Sequence, residues 1–479
     1  MEYKSKDLVK GFIWSGVDKL GIVFLMLALE LVLARLLLPK DYGVIGVVLV
    51  FISLAITFSE GGFTNALIQN LDRTEVDYST VFYFNLAASI LIVIVLYFLA
   101  PSIERFFRIP DLTLILRVIS LSIILNSIVM VHKVKLSIKM DFKTQAKYSL
   151  VAVLLSGVLG IYLAYEGYGV WALVMQNIFM AFFNAVFFWF GVRWFPTAGF
   201  SFISLKKLFA FGSNILASAL LQAAYFNAYP IVIGRALSTR DLGLYSKTNQ
   251  FTQMPASVLT TIVQRVLFPF FSSHQSNNEK IATLNDLFTK LSCLLFFPLF
   301  FILAIVAQPL IIVLFSEKWA EMTDIFIIFC IAYTFYPITV NNMMIFQIKN
   351  KTALFLRIEI FTKIIGVTIL LLTYKHGLVA LAYGILVNQF LQFLISSLFI
   401  QKLLDRKNID QIKVVISFYL FSFLLLFFSK YYMNLLRDNI LLNLLIGFGI
   451  SLILYLVYYL IFYRKFVNQI ILLVKTRNL

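Results

Sequence analysis

Charged side chains set inside long apolar runs are the first chemistry this sequence offers. Asp18, Lys19, Glu30, Glu60, Arg117, Arg265, Glu359 and Lys363 all stand in stretches dominated by Leu, Ile, Val and Phe. An unpaired charge deep in hydrocarbon costs about 3 kcal/mol or more, so such residues face a partner or a wet cavity. The basic members suit an anion such as a phosphate, and Asp18, Glu30 and Glu60 are the candidates for coupling a proton or sodium ion. Catalytic chemistry has no comparable support. His132, His274 and His376 are scattered near loops with no Cys or carboxylate cluster at ligand spacing, so no metal, cofactor or catalytic constellation is expected. Cys293 and Cys330 lie in apolar runs, where a thiol behaves as a small hydrophobe, and no disulfide is expected.

Amides form a second layer, from Asn65, Gln69, Asn85, Asn126 and Asn177 through Gln222, Asn227, Gln250 and Gln253 to Asn341, Asn342, Asn388, Gln389 and Gln392. Sugar hydroxyls need such donors and acceptors. Polar residues in membranes also join helix to helix at about 0.6 kcal/mol each, which accounts for roughly half of them. Asn65, Gln222 and Asn341 are the candidates for sugar contact.

The elements that must hold these residues are membrane spans. The chain has 479 residues, 61% hydrophobic and 13% charged, a composition that calls for a bilayer as solvent. Apolar runs long enough to cross about 30 Å of hydrocarbon as helices recur from end to end. They fall near 11–37, 42–69, 78–100, 111–132, 146–166, 170–192, 208–234, 242–268, 286–308, 322–346, 353–374, 378–401, 412–429 and 440–463. The fold class is therefore all-α integral membrane protein with about fourteen transmembrane helices. The basic start, Met1 to Lys10, lacks a small-residue cleavage site after the first apolar run, so no removable signal peptide is expected.

The net charge of +17 sits in short loops rather than on one soluble face, which argues against a nucleic-acid partner. Alternate loops are rich in Lys and Arg: Lys4, Lys6 and Lys10, then Lys133 through Lys147, Lys206 and Lys207, Lys349 and Lys351, Lys402 through Lys413, and Arg464 onwards. By the positive-inside rule both termini face the cytoplasm, which also requires an even number of spans.

An internal repeat organises the spans. Leu31 to Gly43, LVLARLLLPKDYG, matches Ile231 to Gly243, IVIGRALSTRDLG, with Val32, Arg35, Leu37, Asp41 and Gly43 recurring as Val232, Arg235, Leu237, Asp241 and Gly243. Pro101, Phe107, Gly169, Ala172 and Leu173 recur as Pro309, Phe315, Gly377, Ala380 and Leu381, after one insertion in the Ser272–Lys280 loop. An offset of six helices gives the halves one orientation: two six-helix lobes from a parallel repeat, residues 1–200 and 201–404, plus two further helices and a tail over 405–479. Substrate is expected between the halves. Asp41 and Asp241 read as helix caps, and Arg35 and Arg235 as cations closing the preceding helices.

The start GFIWSGVDKLG, the turn ARLLLPKDYGVIG, GFTNALIQ from Gly62 to Gln69 and GYGVWALVMQ from Gly167 to Gln176 resemble bacterial polysaccharide exporters. These are the Wzx-type lipid-linked oligosaccharide flippases, including the colanic-acid and teichuronic-acid branch, in the superfamily that also holds drug/cation antiporters and the lipid II flippase. The resemblance covers roughly the first 400 residues and rests on glycines, Asp and Arg at span ends. It implies a central cavity worked by alternating access, an undecaprenyl-pyrophosphate-linked oligosaccharide as substrate, the bacterial inner membrane as location and a polysaccharide polymerase as a further partner. In the related lipid II flippase, basic residues of the first and eighth helices line the cavity. Lys19 and Arg265 occupy the corresponding spans and become the pyrophosphate candidates, with Arg117 and Lys363 as further cations. The plain readings are that Lys19 snorkels to the interface and that Lys363 pairs with Glu359 four residues earlier.

The alternatives are a cation-coupled drug exporter on the same fold, lipid II as cargo, and a membrane enzyme that ligates or polymerises polysaccharide. Such enzymes generally carry a large periplasmic loop with catalytic residues. The outward loops here are roughly a dozen residues at most, so no enzyme is expected.

Overall fold

The computed structural model describes residues 5–60, 62–404, 409–434 and 439–464, with side chains described for all of these except 5–20, 211, 214, 262, 265–267, 269, 409–410, 430 and 432–434. Among the described residues the chain is helical, with no strand. In order the helices are α1 (Ser5–Leu36), α2 (Pro39–Glu60), α3 (Phe63–Gln69), α4 (Glu75–Phe107), α5 (Leu112–Ile138), α6 (Phe142–Tyr165) and α7 (Val170–Val192). Then come α8 (Phe202–Ala236), α9 (Thr239–Ser272), α10 (Asn278–Ile305), α11 (Ala307–Phe315), α12 (Thr323–Tyr333) and α13 (Tyr336–Ile348). The series ends with α14 (Thr352–Thr373), α15 (Leu378–Leu404), α16 (Ile409–Asn434) and α17 (Ile440–Phe462).

Eleven of these segments, α2 with α3 and α12 with α13 counted together, are long and apolar enough to cross a membrane. α1, α9 and α14, of 32, 34 and 22 residues, stand at the remaining three spans read from the sequence. Large apolar side chains such as Phe98, Phe190 and Leu445 are exposed, as hydrocarbon solvent permits.

Repeat-related residues take equivalent places. Phe107 and Phe315 are the last residues of α4 and α11. Gly169 and Gly377 immediately precede α7 and α15 at φ 55° and 90°, a backbone region that glycine alone enters cheaply. The Asp41 carboxylate accepts the Leu38 N–H at 2.9 Å, and Asp241 accepts the Ser238 N–H at 3.2 Å and hydroxyl at 2.6 Å. Both aspartates are caps, each closing the turn between two spans.

The chain forms two compact units, Met1–Ser246 and Lys247–Leu479. In the first, α4 packs on α5, α6 on α1 and α7, and α8, which opens the second sequence repeat, lies against α2, α3 and α4. In the second, α10 is central and carries α12, α16 and α17.

Within each unit, prolines explain how particular helices are held to their neighbours. Proline lacks an N–H, so the carbonyl four residues earlier loses its helical partner, and in hydrocarbon that carbonyl must find another donor. Pro101 in α4 frees the Tyr97 carbonyl, which accepts from Arg117 Nε of α5 at 3.2 Å, with the guanidinium 4.0 Å from the centre of the Tyr97 ring. Pro298 in α10 frees the Leu294 carbonyl, which the Tyr459 hydroxyl of α17 fills at 2.8 Å. Tyr419 of α16 donates to the Ile331 carbonyl at 3.1 Å and meets the Thr334 hydroxyl, where α12 gives way to α13. The two C-terminal helices thus brace breaks in the helices they cover.

A buried amide knot completes the second unit. Asn341 donates to Asn285 at 2.7 Å, Asn342 to the Ser396 and Ser397 hydroxyls at 3.3 and 3.2 Å, and Gln411 to Thr289 at 3.0 Å and Asn342 at 3.2 Å. It ties α10, α13 and α15 to the first turn of α16.

Candidate functional site

The most constrained feature of the first unit is the meeting of the two repeat-related turns. A Cβ built on Gly43 would lie 1.7 Å from the Thr239 carbonyl oxygen, and one built on Gly243 would lie 1.8 Å from that of Pro39. Pro39 and Thr239 are the same position in the two repeats, as are Gly43 and Gly243, so the contacts are reciprocal about a local two-fold relation. Small residues let helix backbones approach this closely, as in other membrane helix pairs. Just beyond, the stacked rings of Tyr229 and Tyr245 fill the space between neighbouring helices. The two turns are thus in direct backbone contact.

Away from the turns, the first unit opens polar groups. Asn227 of α8 donates to Ser53 of α2 at 3.1 Å, while Gln222 on α8 and Asn65 on α3 are exposed. Glu60, the last residue of α2, is exposed within electrostatic reach of Lys133 on α5.

α9 is the polar helix of the set. From Lys247 it carries Thr248, Asn249, Gln250, Thr252, Gln253, Ser257, Thr260, Thr261 and Gln264 before Arg265. Lys247 is 2% exposed and donates to Gln250 at 3.1 Å, Asn249 donates to Gln253 at 3.2 Å, and the Tyr333 hydroxyl donates to Asn249 at 2.7 Å. Lys247 was not among the charged candidates in the sequence. It lies within the 242–268 span, but its immediate neighbours Ser246, Thr248 and Asn249 are polar and its burial comes from packing; the readable signal was a lysine one turn after Asp241 and Gly243 of the repeat.

The remaining expected residues divide as follows. Lys19, Asp18 and Arg265 lie on α1 and α9, but their side chains fall outside the described residues. Arg117 is engaged by the Tyr97 carbonyl and ring, which gives it a structural role at the Pro101 kink. Lys363 pairs with Glu359 at 2.7 Å, as the four-residue spacing suggests. Asn341 is fully buried in the amide knot. The structure therefore does not bring the named cations and amides together at one described locus. Two closely packed glycine turns, an open polar stretch of α8 and a polar α9 are what it offers a ligand.

The family model for a polysaccharide biosynthesis protein matches residues 32–324. The chain belongs to that family. Curated relatives include the succinoglycan biosynthesis transport protein ExoT of Rhizobium meliloti (strain 1021), 29% identical over 317 residues, 66% of this chain and 64% of that protein. The teichuronic acid biosynthesis protein TuaB of Bacillus subtilis (strain 168) is 25% identical over 324 residues, 67% of each chain. The lipopolysaccharide biosynthesis protein WzxC of Escherichia coli (strain K12) is 24% identical over 329 residues, 67% of this chain and 66% of that one. The match thus spans just under two thirds of the length of the Rhizobium protein. Among solved structures, the lipid II flippase MurJ in an inward closed conformation superposes with a TM-score of 0.74 at 15% identity, over 95% of this chain and all of that one. An inward-facing multidrug resistance MATE family transporter gives 0.62 at 15% identity, over 80% and 94%. These likenesses show the fold: a multi-pass, all-helical integral membrane protein of the architecture those transporters share.

Proposed function

We propose that the protein is a flippase that moves an undecaprenyl-pyrophosphate-linked oligosaccharide from the cytoplasmic to the outer leaflet of a bacterial inner membrane, for surface polysaccharide synthesis. The observation that carries the reading is α9, a membrane-length helix with a hydrogen-bonding stripe and a cation towards each end, in a member of the polysaccharide biosynthesis family. Orientation follows the basic loops, so both termini face the cytoplasm and the glycine-packed turns face outward. The pyrophosphate pairs with Lys19 and Arg265 from the inner side, exposed amides such as Gln222 and Asn65 meet sugar hydroxyls, and the prenyl tail stays in lipid.

Rocking of the two lobes then opens the outer side. An inside-negative potential favours outward passage of the anion by about 2.3 kcal/mol per charge per 100 mV and draws the emptied carrier back. Asp18, Glu30 and Glu60 are the positions at which an ion would couple. A polysaccharide polymerase is the expected consumer of the product.

Lipid extraction and mass analysis of a strain lacking the gene tests this reading. Accumulation of an undecaprenyl-pyrophosphate oligosaccharide with loss of surface polysaccharide, both reversed by the gene, is the expected result. Unchanged lipid-linked sugars and surface polysaccharide, with the gene expressed and no second flippase active, would move the assignment to a cation-coupled exporter on the same fold.

A further inference from the structure

His132, on α5, is fully buried, and both of its ring nitrogens face carbonyl oxygens. Nδ1 lies 3.1 Å from the carbonyl of Ile128, one turn back on the same helix. Nε2 lies 3.1 Å from the carbonyl of Trp194, in the segment that joins α7 to α8. A neutral imidazole carries one N–H and one bare lone pair, whereas the imidazolium carries two N–H groups. The neutral ring therefore serves one of these oxygens and sets a lone pair against the other; the charged ring donates to both. Turning the ring over would bring carbons to the two oxygens and lose both bonds. The surroundings suit a cation: the indoles of Trp189 and Trp194 lie 5.2 and 5.4 Å from the imidazole, centre to centre. The Ile128 oxygen also accepts from Trp189 Nε1 at 3.2 Å, so donors converge on it.

The segment that His132 grips carries the chain from the first sequence repeat into the second, and it is fastened at several points. Trp194 is buried, and its Nε1 donates to Glu75 of α4 at 2.8 Å. The Tyr83 hydroxyl donates to the Pro196 carbonyl at 3.2 Å, the Ser201 N–H donates to Thr80 at 3.1 Å, and the Ser204 hydroxyl donates to Asp77. The charged groups around this junction are Glu75 and Asp77 on α4, Arg193 after α7, Lys206 and Lys207 on α8, and Lys133 and Lys135 on α5. The charge of Lys135 acts on the imidazole and is paired with Glu75 at 2.7 Å. Histidine is the member of this set whose unperturbed titration falls near neutral pH. The bond to the Trp194 carbonyl is thus the fastening that one proton can complete.

We propose that His132 is a proton-binding site that sets the grip of α5 on the α7–α8 segment: charged, it holds the Trp194 carbonyl and the Ile128 carbonyl together; neutral, it lets one of them go. Acidification tightens the hold and alkalinisation loosens it, because falling pH favours the form with two N–H groups. The site is distinct from Asp18, Glu30 and Glu60, and it stands whether or not the cargo is a lipid-linked sugar. In the orientation proposed above it lies beside the basic Lys133–Lys147 segment and responds to the cytoplasmic side.

The test uses the full-length protein in lipid nanodiscs and has two arms. The sequence has three histidines, so His274→Gln with His376→Gln leaves His132 as the single imidazole. Nitrogen-15 NMR of that protein is expected to show two protonated ring nitrogens at the acid end and one at the alkaline end of the range from about pH 5 to 8. A ring with one proton throughout that range overturns the proposal. In the second arm, amide exchange over residues 194–201 is followed across the same range and corrected for the intrinsic dependence of exchange on pH. Protection of this segment is expected to fall about tenfold as the ring loses its proton, and to become independent of pH in His132→Gln and His132→Asn. The turn at residues 166–169, which has no histidine, serves as the reference. Protection that ignores the ring's titration, or a pH dependence that survives in a folded His132 variant, overturns the proposal. The single-histidine protein retains His132, so the first arm decides even where those variants fail to fold.

Discussion

Replacing Gly43 and Gly243 by alanine loads one conformation of the protein selectively. The Cβ of Gly43→Ala would sit 1.7 Å from the Thr239 oxygen, where ordinary contact begins at 3.4 Å, so the two backbones must part by roughly that difference. The obstacle is backbone, which cannot rotate aside as a side chain does. Overpacking of this kind costs about 1–3 kcal/mol, and the upper end applies here. The strain exists only while the turns touch, so about 3 kcal/mol shifts the ratio of open to closed at this end by about a hundredfold. Ile45, buried on α2 close inside the contact, reports the change once replaced by cysteine in the Cys293→Ala, Cys330→Ala background. Its labelling by an impermeant thiol reagent added from outside is expected to rise by at least tenfold in Gly43→Ala and Gly243→Ala alike. Gly46→Ala, whose Cβ meets only side chains, the Ser246 hydroxyl at 3.2 Å and Leu242 at 3.5 Å, and Gly449→Ala, with nothing within 4 Å, are expected to leave labelling unchanged. Unchanged labelling in both turn variants, with normal abundance and thermal stability, would refute the argument that these glycines hold this end closed.

Other expectations follow from the buried contacts. Arg117→Ala should lower thermal stability in detergent by about 1–3 kcal/mol by orphaning the Tyr97 carbonyl, and by less when Pro101→Ala restores that carbonyl's helical donor; equal losses in both backgrounds would argue for a different role. Tyr459→Phe should cost about 1–2 kcal/mol through the Leu294 carbonyl and be relieved in the same way by Pro298→Ala, measured as a double-mutant cycle. Gln411→Ala should loosen α16, seen as faster amide exchange over Ile409–Asn434, because Thr289 and Asn342 lose a buried partner. Cys293 and Cys330, both fully buried, should resist thiol reagents until the second unit unfolds; reaction in the native state would contradict their packing.

Much of the architecture could be read before the structure because it is written in local rules. Asp41 and Asp241 announce caps, Gly169 and Gly377 recur at matching places in the repeat, and spans follow from the length of apolar runs. The candidate site was less legible. In a bilayer-facing bundle apolar residues cover every face of a helix, so no periodicity tells whether an amide points into a cavity or into another helix, and Asn341 and Gln222 look alike until packing separates them. Arg117 was readable only jointly with Pro101, since the carbonyl it serves belongs to another helix. Lys247 was missed within the 242–268 span because its immediate neighbours are polar and its burial arises from tertiary contacts.

The central claim is translocation of a lipid-linked oligosaccharide, and the most direct measurement is made in proteoliposomes. The purified protein is reconstituted with the undecaprenyl-pyrophosphate oligosaccharide extracted from the deletion strain, and the fraction open to an impermeant glycosidase is followed with time. The account predicts that this fraction rises beyond one leaflet's share only in vesicles containing protein, and faster under a potential that draws the anion towards the glycosidase. A fraction that stays at one leaflet's share, with folded protein in sealed vesicles, would contradict it.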